Sequence, residues 1–144
     1  MSRNGPASVE FRNVSKKYGS VAAVNDVSFT IEPGKLVTLL GPSGCGKTTT
    51  LRLIAGLEMA TTGQIIIGGR DVTNLSASER DVSMVFQSYA LFPHMSVLDN
   101  VSYGPSVSGV PKSQAHAMAL EKLALVGLKG FEKRMPSELS GGQQ

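Results

Sequence analysis

The chain has 144 residues, with 14 Lys or Arg against 11 Asp or Glu, and its formal net charge is +3. This length favours one domain that is long enough to bury a core. The charges are scattered along the chain, which argues against a nucleic-acid-binding surface and fits either an ordinary solvated surface or a protein that handles phosphates.

Short strands are predicted near the N-terminus. Residues 1–7 are polar and interrupted by Gly5-Pro6, so we expect a flexible leader there. Apolar residues then alternate over residues 9–11 and 27–31, which predicts two half-buried strands, and Pro33-Gly34 predicts the turn that ends the second. The chain therefore opens with a β region that we expect to be antiparallel.

The next segment predicts a strand followed by a helix. Leu36–Leu40 is apolar almost throughout, as in a central strand covered on both faces, and it leads directly to Gly41. Residues 47–57 lack proline and place Leu51, Ile54 and Ala55 on one helical face. A glycine-rich loop thus connects a predicted central strand to a predicted helix.

Strands and then helices are predicted downstream. Residues 64–67 indicate a strand ending in a Gly-Gly turn, residues 76–79 have capping-box spacing, and residues 82–86 alternate as a strand that ends at Gln87. Gly and Pro residues interrupt the chain after Pro93 until a helical pattern resumes over residues 113–126. The apolar positions of that pattern are Ala115, Ala119, Leu123 and Val126. This order of elements predicts an α/β fold with a helical insert.

The loop between the predicted central strand and the helix carries the strongest motif of the chain. Residues 41–48 match G-x-x-x-x-G-K-[ST] at every fixed position and lie between a strand and a helix, as a phosphate-binding loop requires. The motif residues are Gly41, Pro42, Ser43, Gly44, Cys45, Gly46, Lys47 and Thr48, and Thr49 follows them. A plain glycine-rich turn is the alternative interpretation.

The chemistry of an ATP site explains these residue types. Glycines let the backbone wrap an anion with its N–H groups pointing inward, and the following helix presents its positive end. Lys47 can then reach the β- and γ-phosphates, while the Thr48 hydroxyl supplies an oxygen ligand to Mg²⁺. Cys45 excludes an internal disulfide because it is the only cysteine, and we expect it to fill space in the loop and the chain to belong to a reducing cytosol.

A second motif identifies a family. Residues 139–143 spell Leu-Ser-Gly-Gly-Gln, and together with the phosphate loop they make the chain resemble the ATP-binding subunits of ABC transporters. This resemblance implies a P-loop NTPase-like core at residues 8–92, including Gln87, and a helical subdomain at residues 93–144. It also implies that Ser140, Gly141, Gly142 and Gln143 contact the γ-phosphate of ATP held by a second copy. A helix N-cap followed by two flexible glycines is the local alternative.

Two further positions match the family pattern. Tyr18 stands where the resemblance implies an aromatic ring stacked on adenine, although a tyrosine of the core or surface would have the same sequence. Gln87 stands where a glutamine of the family contacts Mg²⁺ and its water, and surface glutamines are the alternative. The resemblance therefore implies that Gln87 and Lys47 are catalytic residues. It also implies that Gln87 and Thr48 bind the metal ion.

The segment after Gln87 resembles importers of polyamines, iron and sugars. In those proteins the surface formed by residues 88–97 receives a membrane subunit, whereas Leu91, Phe92 and Met95 could equally belong to the core. No apolar run approaches the roughly 18 residues of a membrane helix. The resemblance implies a cytoplasmic, peripheral subunit that binds transmembrane permease subunits and a second copy of itself, and we expect no nucleic acid as a partner. His94 and His116 are expected to be structural or surface residues.

The resemblance extends to Gln144 but stops inside the family pattern. The Asp and Glu that the family uses for hydrolysis, and its switch histidine, follow the signature, and Val97-Leu98-Asp99 is a poor substitute. We expect the intact protein to be an ATPase and these 144 residues alone to be inactive, with a fold that is incomplete at its C-terminal end. A non-transport ABC ATPase and a truncated, non-catalytic nucleotide-binding module remain the alternatives.

Overall fold

The computed structural model describes residues 5–144, so residues 1–4 of the expected leader lie outside the described residues. The chain divides into two compact units, Met1–Met84 and Val85–Gln144, which we call the N-terminal unit and the helical unit. From the sequence we instead predict a boundary between residues 92 and 93, and this boundary stays a prediction.

An antiparallel sheet organises the N-terminal unit. Its four strands are β1 (Val9–Tyr18), β2 (Val21–Ile31), β3 (Thr62–Ile67) and β4 (Arg70–Asp71), in the order β2-β1-β3-β4. The pairing of Phe11 with both Phe29 and Ile65 makes β1 a central strand. The predicted opening strands, the turn at Pro33-Gly34 and the strand at residues 64–67 are confirmed.

Helix α1 (Lys47–Ala55) closes one face of this sheet through a shared apolar core. The buried core side chains are Phe11, Val14, Val24, Leu53, Ile65 and Val72. Phe11 and Phe29 stack with their ring centres 4.6 Å apart. The predicted helix is confirmed, but its predicted face is partly wrong, because Leu51 is exposed and Leu53 is the residue that enters the core.

Two predicted strands are absent from the described residues. Leu36–Leu40 has no regular structure, and Leu36 and Leu40 are 97% and 96% exposed. Residues 82–86 also lack strand structure, and Val85 and Phe86 are exposed. An extended apolar segment becomes a strand only when a neighbouring strand supplies its hydrogen bonds, and none of β1 to β4 pairs with either segment.

Two helices form the helical unit. They are α2 (Val97–Val107) and α3 (Lys112–Leu125), and the buried face of α3 comprises Ala115, Ala119 and Leu123, as predicted, while Val126 is exposed. The prediction that Gly104 and Pro105 interrupt the chain is wrong, because α2 includes both residues. Pro105 lies in the last turn, where the missing N–H removes one bond shortly before the helix ends.

Short 3₁₀ turns complete the fold. One covers Ala77–Glu79 and follows the predicted capping-box residue Ser76, whose N–H donates to the Glu79 carboxylate at 2.9 Å. The other covers Pro136–Glu138 and precedes the signature. Within residues 5–144, no helix combines the length and the apolar character needed to cross a bilayer. The structure is thus a mixture of an antiparallel sheet and helices, as the fold-class prediction requires.

Candidate nucleotide-binding site

The predicted phosphate loop immediately precedes α1 and packs against β2. Gly46 is the residue before the helix and has a left-handed backbone with φ of 92°. A Cβ atom at this position would lie 2.4 Å from the carbonyl oxygen of Ala23 in β2. Only glycine can therefore combine this backbone conformation with this close approach. The contact with β2 therefore fixes the position of the loop at the start of α1.

The side chain of Lys47 holds the loop closed. Its ammonium group donates to the carbonyl oxygens of Gly41 and Pro42, both at 2.7 Å, and lies 3.5 Å from the Cys45 Sγ. A Cβ atom at Gly41 would lie 2.7 Å from the same sulfur, so Cys45 occupies the space beside this glycine. The cationic group thus lies at the loop itself, where an anionic ligand would meet it.

The first turn of α1 offers polar groups that suit an anion. The first N–H groups of a helix have no acceptor within the helix and carry the positive end of its dipole. The first turn of α1 contains no acidic residue. Thr48 is exposed, Thr49 is half-buried, and the buried Thr50 donates its hydroxyl to the Gly46 carbonyl at 3.0 Å. The exposed Thr48 hydroxyl is therefore the one that a bound ion can reach most readily.

Tyr18 lies at the end of β1 with its side chain 47% exposed. Lys16 places its ammonium group 4.9 Å from the centre of the Tyr18 ring. Partial desolvation and a hydrogen bond to Glu58 raise the pKa of the Tyr18 phenol, which is therefore neutral at physiological pH. The ring is accessible to a flat ligand, and its role in stacking on adenine stays a prediction.

Gln87 and the signature belong to the helical unit, whereas Tyr18 and the phosphate loop belong to the N-terminal unit. Gln87 is exposed in a turn, and Tyr89 and Ala90 after it have positive φ values of 63° and 55°. This backbone is uncommon for residues that carry a Cβ atom. The role of Gln87 at the metal stays a prediction.

The signature residues form an exposed turn. Gln143 and Gln144 donate their N–H groups to the Ser140 carbonyl at 2.9 and 3.0 Å, while the Ser140 N–H donates to the Gln143 Oε1 at 3.0 Å. Gly141 and Gly142 are exposed between them. The hydrogen bond from the Gln144 N–H to the Ser140 carbonyl has the spacing of an α-helix, but residues 141–143 form a turn and not a helix.

The segment after Gln87 packs against α2. Phe92 exchanges hydrogen bonds with the Asn100 side chain, and its ring lies 4.6 Å from that of Tyr103. His94 is exposed, and its ring lies 6.0 Å from Phe92. These contacts involve Phe92 in the packing of the helical unit, and a partner-binding role for this segment stays a prediction.

His116 has a carboxylate neighbour that its sequence spacing did not reveal. Its Nε2 lies 3.5 Å from the Asp99 Oδ1, and Asp99 also accepts a hydrogen bond from the Ser96 hydroxyl at 2.6 Å. The bond from Ser96 is the first cause that lowers the pKa of Asp99, and His116 contributes to it. This pair connects α2 with α3, so the expected structural role of His116 has a definite partner.

The two residues predicted to bind magnesium have uncharged side chains. Within the described part of the chain, no group of three His, Cys, Asp or Glu residues could hold a metal ion. Thr48 and Gln87 offer neutral oxygens, which are hard donors but carry no charge to attract a cation. The phosphates of a nucleotide would have to supply the charged ligands.

Comparison with protein families decides what kind of chain this is. The family model described as ABC transporter matches residues 24–144, which include the phosphate loop, Gln87 and the signature. The chain belongs to the ABC transporter family. The resemblance inferred from the two motifs is thereby confirmed.

Two curated relatives are named as iron-import proteins. The chain is 66% identical over 139 residues to the Fe(3+) ions import ATP-binding protein FbpC 1 of Rhizobium meliloti, with 96% of this chain and 39% of the relative covered. It is 57% identical over 136 residues to FbpC of Escherichia coli, with 94% and 39% covered. The chain therefore spans about two fifths of the length of these ABC proteins.

Solved ABC structures share the fold. The dimeric structure of MJ0796, described as a bacterial ABC transporter cassette, superimposes with a TM-score of 0.81 at 31% identity, covering 94% of this chain and 64% of that one. A structure of the MJ0796 cassette bound to ADP and Pi superimposes with a TM-score of 0.80. The predicted α/β, P-loop NTPase-like core with an antiparallel β region and a helical insert is therefore confirmed as an ABC fold.

Three polar residues of this ABC chain were missed by sequence reasoning. Arg80 is 6% exposed and donates to the carbonyl oxygens of Leu53, Ile54, Leu75 and Thr73. Lys16 and Glu58 form an ion pair at 2.9 Å beside Tyr18. No local pattern could reveal the bonds from Arg80 to Leu53 and Ile54, or the pair of Glu58 with Lys16, because these partners are far away in sequence. The position of Lys16 could have been noticed, because it lies two residues before Tyr18 and alternate residues of a strand lie on the same face.

Proposed function

We propose that this chain is the nucleotide-binding part of the ATP-binding, energy-coupling subunit of an ABC solute importer. The observation that carries the proposal is the closed loop at residues 41–48, in which the Lys47 ammonium group lies on the loop carbonyls at the positive end of α1. Such a loop has the cation, the N–H groups and the hydroxyl that a Mg²⁺-bound triphosphate requires.

The proposal keeps the role that the family resemblance implies for each predicted residue. Tyr18 would stack on adenine, the loop and Thr49 would hold the phosphates, and Thr48 and Gln87 would contact Mg²⁺. In a pair of chains, residues 140–143 of one copy would contact the γ-phosphate held by the other. The dimeric form of the related MJ0796 cassette supports this homodimer.

Import through a membrane permease is the proposed use of ATP. The relatives named above are called Fe(3+) ions import ATP-binding proteins, which makes ferric ions the first solute to test. Such a subunit would be cytoplasmic and would bind transmembrane permease subunits at the inner face of the membrane. Residues 88–97 are the surface that we propose for this contact.

Titration with a fluorescent ATP analogue tests the proposal. We expect Lys47→Ala to weaken binding at least about tenfold, which corresponds to about 1.4 kcal/mol, because it removes the cation from the loop. Lys35→Ala is the control, because it removes the same charge from an exposed position outside the motif. Equal affinities of the Lys47→Ala variant and the unchanged chain would refute the proposed ATP site.

Hydrolysis is proposed for the full-length protein and not for these 144 residues alone. The chain spans 39% of the length of the relatives, and the proposal assigns the remaining catalytic residues to a full-length protein of that size. A nucleotide-binding module without turnover is the alternative that this coverage favours for the chain by itself. Phosphate release by the purified chain, well above that of its Lys47→Ala variant, would contradict this assignment.

A further inference from the structure

A lysine and a glutamate hold the exposed ring of Tyr18 in place. The Lys16 ammonium group donates to the Met59 carbonyl at 2.9 Å and pairs with the Glu58 carboxylate at 2.9 Å. The same group lies 4.9 Å from the centre of the Tyr18 ring, within the range of a cation–π contact. One ammonium group thus connects three neighbours, and the Tyr18 ring is one of them.

Glu58 contacts the other end of the tyrosine. The pKa of its carboxylate is lowered by hydrogen bonding with Lys16 first and with Tyr18 second, and the Lys16 ammonium group lies 2.9 Å away. The Lys16 and Glu58 side chains are only 15% and 23% exposed, whereas Tyr18 is 47% exposed. The two charged side chains are therefore partly buried, while the aromatic ring remains accessible.

The same contacts connect the ring to the helix of the phosphate loop. Glu58 and Met59 follow α1 after Gly56 and Leu57, and α1 begins at Lys47. Lys16 and Tyr18 lie in β1. Every bond from Lys16 to Glu58 or Met59 therefore restrains the strand that carries the ring against the helix that carries the loop. Such restraint fixes the separation between a ring-stacking position and a phosphate-binding position within the N-terminal unit.

We propose that Lys16 and Glu58 are positioning residues that orient Tyr18 for the nucleobase of ATP. This inference rests on the proposed function, because it assigns a task to two residues at the same site. The ammonium group would hold the ring in one orientation, so that a base meets a ring that is already ordered and less side-chain entropy is lost on binding. Neither residue needs to contact the nucleotide.

The geometry predicts which affinity each variant changes. Lys16→Met keeps the aliphatic stem but removes the cation, so the affinity for ATP should fall about threefold to tenfold. Inorganic tripolyphosphate has no base to stack, so its affinity should not change. Lys16→Arg can keep both the charge and the pair with Glu58 and should retain the affinity for ATP within about twofold. Lys17→Met is the matched control, since the side chain of Lys17 is exposed and adjacent in sequence.

Calorimetric titration of the full chain with ATP and with tripolyphosphate tests the proposal. In a Tyr18→Ala background, Lys16→Met should cause no further loss, because the residue acts through the ring. A Lys16→Met variant that binds ATP as well as the unchanged chain would overturn the proposal. Equal losses for ATP and tripolyphosphate, or the same loss in the Tyr18→Ala background, would also overturn it, because Lys16 would then act through the fold.

Different results would contradict the ATP site and the positioning role of Lys16 and Glu58. If the unchanged chain binds ATP and tripolyphosphate equally tightly, base stacking contributes nothing, and the role of Lys16 and Glu58 is wrong while the phosphate loop stands. If the unchanged chain binds neither ligand, the proposed ATP site is wrong, and the positioning role is wrong with it. Glu58→Gln should follow Lys16→Met in direction, because it removes the charged partner of the ammonium group.

Discussion

The phosphate loop and the signature turn are both glycine-rich, but different contacts determine their shapes. Gly46 enters α1 against the Ala23 carbonyl of another element, and α1 itself packs on the sheet. The signature turn is closed by hydrogen bonds between Ser140 and the two glutamines that follow it. A tertiary contact therefore adds to the local bonds of Lys47 in the phosphate loop, whereas local hydrogen bonds close the signature turn.

This comparison indicates how each region should respond to substitution. A change at Gly46 has to be accommodated by strand β2 or by helix α1, which are close-packed and yield little. A change in the signature turn affects groups that water can reach and solvate. Substitutions that alter tertiary contacts should therefore cost more stability than substitutions that remove one local bond.

The largest effect is expected for Gly46→Ala. Its backbone has φ of 92°, and its new Cβ would lie 2.4 Å from the Ala23 carbonyl oxygen, so strand and helix would have to separate. We expect a loss of about 3 kcal/mol in the free energy of unfolding, measured by urea denaturation. Gly44→Ala is the control, because Gly44 has φ of 80° but no atom within 4 Å of the new Cβ. Equal losses in the two variants would show that the contact with β2 is unimportant.

The second effect concerns Arg80, which stabilises the end of α1. Its guanidinium group donates to the Leu53 and Ile54 carbonyls at 2.6 and 3.1 Å, where the helix dipole is negative. Arg80→Met would leave these buried carbonyls without their donor and should cost about 2 kcal/mol in urea denaturation. Arg70→Met removes an exposed arginine and should change stability by less than about 0.5 kcal/mol. A loss as small as this in Arg80→Met would contradict the tertiary role of Arg80.

A smaller and local effect is expected for Gln143→Ala. The substitution removes the oxygen that accepts from the Ser140 N–H at 3.0 Å, and water can replace it at this exposed turn. We expect the global free energy of unfolding to change by less than about 1 kcal/mol, while hydrogen exchange of the Ser140 amide becomes faster. Ser137→Ala, at an exposed position nearby, should leave this exchange rate unchanged. A large global loss would mean that the signature turn also depends on tertiary contacts.

The smallest effect concerns the capping box at residues 76–79. The Glu79 carboxylate accepts hydrogen bonds from the Ser76 hydroxyl and N–H, and these bonds lower its pKa. A carboxyl group with a lowered pKa in the folded state stabilises the protein above its ordinary pKa of 4.5 and loses this contribution as the pH falls through the folded pKa. The melting temperature of Glu79→Gln should therefore be lower than that of the unchanged chain at pH 7. The two melting temperatures should approach each other at about pH 3. A difference that stays constant with pH would exclude the carboxylate as its cause.

Local patterns predicted the paired strands, the phosphate-loop helix and the buried face of α3 because each depends on periodicity along one segment. The same reasoning missed α2, although Ser96 and Asp99 form an N-terminal cap whose bond measures 3.1 Å. Gly104 and Pro105 argued against a helix at this position, because both residue types destabilise helix interiors. The candidate site shows the same limit, since the motifs revealed Lys47 and Thr48 but not Lys16, Glu58 and Arg80.

The amino-acid sequence by itself determined the family, the phosphate loop and the order of most elements. Short motifs and apolar periodicity suffice for these because they depend on neighbours along the chain. Only the tertiary structure decided that Leu36–Leu40 is unpaired, that Gly46 meets Ala23, and that Lys16 reaches Tyr18 and Glu58. The physical reason is that strand pairing, close approach and ion pairing require a partner from elsewhere in the chain, and a local pattern does not identify that partner.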